Sequence, residues 1–377
     1  MTATLDDVGV DGTEAAAEEP PELDMAKVEA FGARMMDILN LGMTANMMSI
    51  GHQAGLFDAM AGLAGYATSA EIAEAAGLDE RYVREWLGAM TTSHVVDYDG
   101  GKGGYSLPAE HAALTTRAAG PNNFATYTQL IPMCGSIEAE LLEAFRDGGG
   151  VPYSSYPRFH AAMREISGAV FDAALVDVTL PLVPGAIEAL RSGIRVADVG
   201  TGSGHAINVM AKAFPDSTFI GFDIAEQALA VGRTEAAEWG LDNAEFEVHD
   251  AADLTHVGSF DLVTTFDAVH DQVDPVAMVQ GIFDMLKPGG YWLCVDIQAS
   301  SHVGENLEHP LGTFFYSVSC AHCMTVSLAH GGAGLGAVWG VQTAREMFTD
   351  AGFVDLEIHN VEGDVTNNYY VCRKPEG

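Results

Sequence analysis

The apolar positions of this chain fall into blocks of different period. Residues 1–24 are mostly Ala, Glu, Asp and Pro with almost no bulky apolar side chain. Such a composition buries too little surface to order a chain, so a disordered acidic tail is expected there. Over residues 25–55 apolar side chains recur at helical spacing, Phe31, Met35, Ile38, Leu39, Met43 and Met47 among them. This predicts one long helix, read either as a pliable Met-rich binding surface or as a buried or dimer-forming helix. Thr68 with Glu71 forms a capping box opening a helix over 70–76, Gly77 ends it, and Asp79 caps a second helix running to Met90. Residues 95–98 and 105–107 then flank a glycine-rich turn, and helix, turn, helix, hairpin is the winged-helix order. Residues 122–190 read as mostly helical, broken by the loop GGGVPYSSYPRFH at 148–160.

The second half changes period. A short apolar run, 196–199, is followed at once by Gly200, Gly202 and Gly204, then by a helix-periodic stretch, 206–214, and by a second apolar run, 217–222, ending in Asp223. Glycines at such a turn let a ligand approach the backbone, the helix N-terminus offers it free N–H groups, and the carboxylate can hold two ribose hydroxyls. A dinucleotide would satisfy that too. Two details lean away from it: the spacing is G-x-G-x-G with His205 where the dinucleotide fingerprint continues, and Asp198 stands where a carboxylate can hold an ammonium group. Segments 353–361 and 365–373 close the chain as a hairpin-like pair.

Along residues 193–374 stand, in order, DVGTGSG, IGFDI, FEVHDAADL, FDLVTTFDAVHD and LKPGGYWLCVDI. Together they resemble the class I S-adenosylmethionine (SAM) methyltransferases. The resemblance implies an α/β fold, a Rossmann-like seven-stranded and mostly parallel sheet, with SAM as cofactor. It places Asp198, Gly200, Thr201, Gly202 and Gly204 at the methionine part, Asp223 with Ile224 at the ribose and Asp250 with Ala251 at the adenine. Phe266 and Asp267, just past the fourth strand, join the cofactor set. His270 followed by Asp271 is similar to the His-Asp pair of small-molecule O-methyltransferases, in which the histidine is a general base. An imidazole suits removal of a hydroxyl proton near neutral pH, although simple packing against the next helix is the other reading.

Residues 56–116 look like the N-terminal domain of those O-methyltransferases, which builds the homodimer and covers the substrate. The whole chain is still more similar to bacterial winged-helix class I methyltransferases of mycobacterial type. The expected division is a tail, 1–24; a winged-helix dimerisation domain, 25–120; a helical linker and substrate roof, 121–190; and a SAM-binding domain, 191–377. Tyr153, Tyr156 and His160 sit in the glycine- and proline-rich loop where a roof is expected, with packing of the aromatics as the alternative. An insertion at 300–340 is expected to close the pocket, with His309 or His322 lining it.

Charge narrows the partners. Seventeen basic residues against 53 acidic ones give −36. Such a surface repels phosphate backbones and anionic membranes, so nucleic acid and membrane are not expected as partners. Within 68–110, three basic residues (Arg81, Arg84, Lys102) face eight acidic ones, which favours a scaffold over a DNA-binding role for the winged helix. Adaptation to a high-salt cytoplasm, where screening removes self-repulsion, is the expected reading of the acidity. No basic-plus-apolar leader and no uninterrupted apolar run of roughly eighteen residues occurs, so a cytoplasmic enzyme is expected. Five cysteines read as reduced thiols. Cys320 and Cys323, with His302, His309, His322 and His330 around them, could suggest zinc, but a single C-x-x-C lacks its usual second pair and no metal is expected. The run GGAGLG at 331–336 follows no strand and is not a phosphate loop. The resulting expectation is methyl transfer from SAM to a small-molecule acceptor, O-methylation by preference. Two alternatives stay open: a SAM-sensing winged-helix regulator, and a SAM-binding enzyme that does not methylate.

Overall fold

The computed structural model describes residues 22–377, and the expected acidic tail falls almost wholly outside them. The chain divides into two units, Met1–Met43 and Thr44–Gly377. Helix α1, Met25–Gln53, is where the apolar periodicity predicts it. In residues 22–43 its Phe31, Met35, Ile38, Leu39 and Met43 are all exposed.

The winged-helix signals are realised one by one. After α2 (Leu56–Ala61), α3 (Ser69–Ala76) opens on the reciprocal Thr68–Glu71 capping box and closes on Gly77 in the left-handed region. Asp79 caps α4 (Glu80–Thr92) by accepting from Arg81 N. Strands β1 (Asp97–Asp99) and β2 (Gly104–Ser106) pair antiparallel, and Ala67 makes an isolated antiparallel bridge to Tyr105. Their core gathers Phe57, Ile72, Val83, Trp86, Leu87 and Met90, with Trp86 lying edge-on to Phe57 at 5.3 Å. On α4 the two arginines are spent on i,i+4 neighbours, Arg81 on Glu85 and Arg84 on Glu80.

Helices α5 (Ala109–Thr115), α6 (Leu130–Ser136), α7 (Glu138–Asp147) and α8 (Phe159–Val170) follow. The expected loop therefore stops short of its predicted end: Phe159 and His160 belong to the first turn of α8. Helix α8 runs on as a wide, π-type segment, Phe171–Thr179, before α9 (Ala186–Ser192). No single helix among the described residues is long and apolar enough to cross a membrane.

The remainder is a sheet layered between helices: β3 (Arg195–Val199), α10 (His205–Ala213), β4 (Thr218–Asp223), α11 (Glu226–Trp239), β5 (Ala244–Val248), β6 (Phe260–Phe266), α12 (Pro275–Met285), β7 (Leu286–Ile297), α13 (Gly312–Val318), α14 (Met324–Ala329), α15 (Gly340–Asp350), β8 (Val354–His359) and β9 (Asn367–Arg373). The strand order is β5-β4-β3-β6-β7-β9-β8, parallel except for β9, which runs antiparallel to both its neighbours. Successive residues of a strand face opposite sides. Val196, Phe219, Leu262, Leu293 and Tyr369 accordingly pack with α9, α10 and α11, whereas Ala197, Ile220, Val263, Cys294 and Tyr370 pack with α12 and α15. In such a sheet a ligand sits outside the carboxyl ends of the strands, where the chain order reverses, here between β3 and β6.

Candidate functional site

At the carboxyl end of β3, Gly200, Gly202 and Gly204 all take positive φ, at 75°, 57° and 72°. Space adds to conformation at two of them: a Cβ on Gly200 would lie 2.5 Å from Ala268 Cβ, and one on Gly204 only 2.2 Å from the Phe246 ring. A Cβ on Gly202 would meet nothing within 4 Å, so the loop presents open backbone there. Gly200 N and Thr201 N both donate to the Phe222 carbonyl. Asp223 fastens the loop from below, its Oδ2 accepting from Gly202 N and its Oδ1 from Ala225 N, each at 2.8 Å. Ile224 beside it is 70% exposed. Asp250 is exposed, with Oδ1 turned back on Ala252 N, and Ala251 packs against the sheet core.

The loop is ringed by buried acids. Asp198 accepts from the Thr264 hydroxyl at 2.7 Å, and burial pushes its carboxyl up to about 7. Asp267 has a positive φ of 51° and a buried Oδ1 with no partner. Burial and the neighbouring Asp296 charge push it, too, up to about 7. Both acids bind a proton more tightly folded than unfolded, so the stability they contribute is full below the unfolded pKa of 3.8 and is lost as pH rises towards 7. For the protein without added ligand, Asp198→Asn is expected to remove on the order of 4 kcal/mol of that fall between about pH 4 and 7, since each pKa unit is worth about 1.4 kcal/mol. Denaturant unfolding across that range checks it; parallel pH curves for variant and wild type would refute it.

His270 stands at the end of the turn that leaves β6. Its Nδ1 lies 2.7 Å from Asp296 Oδ1, and both residues are buried. Asp296 Oδ1 also accepts from Ile297 N and from Trp339 Nε1, which fixes it, while Oδ2 has no partner. Burial works against a charge on the imidazole, but the Asp296 carboxylate and Cys323 outweigh it and hold His270 well above its ordinary range. Asp271 accepts a hydrogen bond from the Tyr153 hydroxyl, and burial raises its carboxyl. Asp296 has no place among the sequence-based site residues. Its one signal is an acid closing the otherwise apolar stretch YWLCV.

Of the five expected pocket residues, four come together. Tyr153 stacks on His160, and His322 lies edge-on to both Tyr153, at 5.2 Å, and Tyr156, at 4.8 Å. Tyr156 is enclosed, and its hydroxyl spends its one donor on the Ala321 carbonyl. The fifth, His309, accepts from Leu311 N at its Nδ1, and its ring meets Phe315 rather than these four. The insertion also reaches the site through its main chain, Gly336 N donating to the His270 carbonyl and Ala333 N to that of Val273. Cys320 and Cys323 lie in a π-type segment, Ser319–Cys323, not on a regular helical face as their spacing suggests. Among the described residues no group of three or more His, Cys, Asp or Glu side chains is placed to hold a metal ion.

Two cavities stand out among the described residues. One of about 40 Å³ lies between Tyr127, Phe171, Phe266, Asp267, Asn367 and Tyr369. The larger, about 410 Å³, is bordered by Arg117, Asn123, Arg164, Glu165, Asp172 and His205 and touches neither His270 nor the glycine loop. Size therefore does not locate the chemistry; the convergence of polar groups at the strand ends does.

Two families match in sequence. Residues 42–117 match a family described as an Rv2258c-like winged HTH domain, and residues 190–352 one described as a methyltransferase domain. The ubiquinone biosynthesis O-methyltransferase of Dinoroseobacter shibae is 36% identical over 103 residues, 27% of this chain and 40% of that protein. Its Acinetobacter baumannii counterpart is 32% identical over 102 residues, 26% of this chain and 42% of that protein. The chain thus spans about two fifths of the length of the curated relatives it matches. Solved structures agree along the whole fold at low identity. Human N-acetylserotonin methyltransferase in complex with SAM has a TM-score of 0.66 at 16% identity, covering 94% of this chain and 99% of that one. Mitomycin 7-O-methyltransferase has a TM-score of 0.64 at 18% identity, covering 93% and 99%.

Proposed function

We propose that this chain, which carries a winged helix-turn-helix domain followed by a methyltransferase domain, is a SAM-dependent methyltransferase acting on the hydroxyl of a small molecule. The observation that carries the reading is the His270–Asp296 pair standing beside the glycine loop at the strand ends. The residues present fit the cofactor. Gly202 leaves backbone open to a ligand, and the Asp198, Asp223 and Asp267 carboxylates suit a molecule with both an ammonium and a sulfonium charge. In this reading Asp198, Gly200, Thr201, Gly202, Gly204 and Asp267 hold the methionine part, Asp223 and Ile224 the ribose, Asp250 and Ala251 the adenine, and Phe266 walls the site.

When bound, SAM supplies an electrophilic methyl group on sulfur. The ring nitrogen of His270 that does not face Asp296, with Cys323 close to the imidazole, would take the proton of the acceptor hydroxyl as the methyl group passes from sulfur to its oxygen. Asp296 keeps the Nδ1 proton in place and stabilises the imidazolium that results. An imidazole whose pKa is raised by a carboxylate is a stronger base, but a larger share of it carries a proton at any given pH. A cationic ligand alongside lowers that pKa, so the base becomes competent when the donor is in place. Holding the reactants in line contributes further, up to several kcal/mol.

The regulator reading is disfavoured by α4, where both arginines are paired within the helix. Homodimer formation is supported by the exposed Phe31, Met35, Leu39 and Met43 of a single chain. A cytoplasmic location and a salt-adapted surface complete the proposal. The latter predicts that the melting temperature rises as salt is added, because screening relieves a charge of −36. A melting temperature highest without added salt would count against it. Calorimetric titration with SAM and S-adenosylhomocysteine tests the reading as a whole.

A further inference from the structure

The His270–Asp296 pair has a third member. Asp296 fixes the imidazole through Nδ1 at 2.7 Å, and Cys323 lies against the same ring. The docking of the segment that carries Cys323 puts it there. Ser319, Cys323 and Ser327 stand four residues apart and so share one side of the helical run 319–329. The two serines clamp that side to the turn after β6. Ser327 Oγ donates to the Gln272 carbonyl. Ser319 Oγ accepts from Ala337 N, and Gly336 before it donates to the His270 carbonyl. Cys323, between them, is 6% exposed, whereas Cys134 and Cys320 are partly open to solvent. Since Nδ1 is spent on Asp296, the sulfur is left with the other ring nitrogen, the one an acceptor hydroxyl would use. Thiol, imidazole and orienting carboxylate, in that order, are the parts of an activated nucleophile. Sulfur is the better nucleophile of the two, because a thiol ionises far more readily than a hydroxyl and its anion is intrinsically more reactive.

We propose that Cys323 is itself a methyl acceptor, so that the chain methylates its own thiol when the donor is bound and no hydroxyl acceptor is in place. The proposal rests on the methyltransferase reading, which puts the methyl group in front of His270. The thiol proton passes to the imidazole, a sulfur–carbon bond forms on Cys323, and the bond from the methyl group to the sulfonium breaks. The products are S-methylcysteine, a protonated His270 and neutral S-adenosylhomocysteine. The resulting thioether has no proton to give, so the reaction stops after one methyl group. It also fills the place of the acceptor oxygen, which closes the modified site to hydroxyl acceptors.

The test incubates the full chain with SAM alone and locates added methyl groups by mass spectrometry of the intact chain and of its peptides. One methyl group per chain, on Cys323, is expected. Cys134 and Cys320 are expected to stay unmodified, although uncatalysed methylation would favour such accessible thiols. His270→Ala is expected to slow the labelling about 100-fold near neutral pH. Its rate is expected to recover as pH rises past about 8.5, where a thiol ionises without a base, a recovery that lost packing would not give. Cys323→Ala is expected to take up no methyl group and to bind S-adenosylhomocysteine as wild type does. A wild-type chain that binds S-adenosylhomocysteine yet gains no methyl group, or gains it on Cys134 or Cys320, would overturn the proposal. A folded wild-type chain that binds no S-adenosylhomocysteine would overturn the cofactor reading, and this proposal with it.

Discussion

Replacing His270 with alanine is expected to slow methyl transfer by about 10²- to 10⁴-fold, the range that positioned general bases supply. Affinity for S-adenosylhomocysteine is expected to hold, since His270 makes its hydrogen bond to Asp296 and none to the glycine loop. Asp296→Asn gives the matching test of the pair. It keeps the shape but takes away the charge that raises the imidazole pKa, so activity falls less than for His270→Ala, and the rising limb of the pH profile moves to lower pH. A loss below about fivefold for His270→Ala would assign the histidine to packing under α12 and leave alignment as the main source of rate.

Asp223→Ala is expected to weaken SAM binding by at least about 100-fold. The carboxylate has two roles. It would hold the ribose hydroxyls, and charged hydrogen bonds of that kind are worth about 1.5–3 kcal/mol each. It also ties Gly202 N and Ala225 N, so its removal frees the loop whose open backbone receives the ligand. Asp223→Asn keeps one acceptor oxygen and is expected to lose less. The order wild type, Asn, Ala in affinity is the signature; equal affinity across the three would place the ligand elsewhere.

What is legible in the sequence is what the backbone itself demands. Gly200 and Gly204 can be read because no side chain fits where they stand, against Ala268 and Phe246. The strands can be read because a sheet buried on both faces needs apolar residues at successive positions, as at Val196 with Ala197 and Leu293 with Cys294. The caps of α3 and α4 are local and legible for the same reason. What the sequence hides are contacts made by pairing and packing over long separations. Asp296 meets His270 because β6 and β7 lie side by side, and no short spacing in the chain records it. His309 and His322 look alike in the sequence of the insertion. Only its docking on the turn after β6 puts His322 in the aromatic cluster and His309 outside it. Phe159 reads as the edge of a loop because the glycines and prolines before it continue almost to the helix start.

The proposed activity depends first on the glycine loop and its ring of acids holding SAM. Isothermal titration of the full chain with S-adenosylhomocysteine, at high salt, addresses that directly. One site per chain with a micromolar dissociation constant is expected, lost in Asp223→Ala and kept in His270→Ala. No heat of binding to a folded wild-type chain would contradict it, and would return the winged helix to first place among the functional elements.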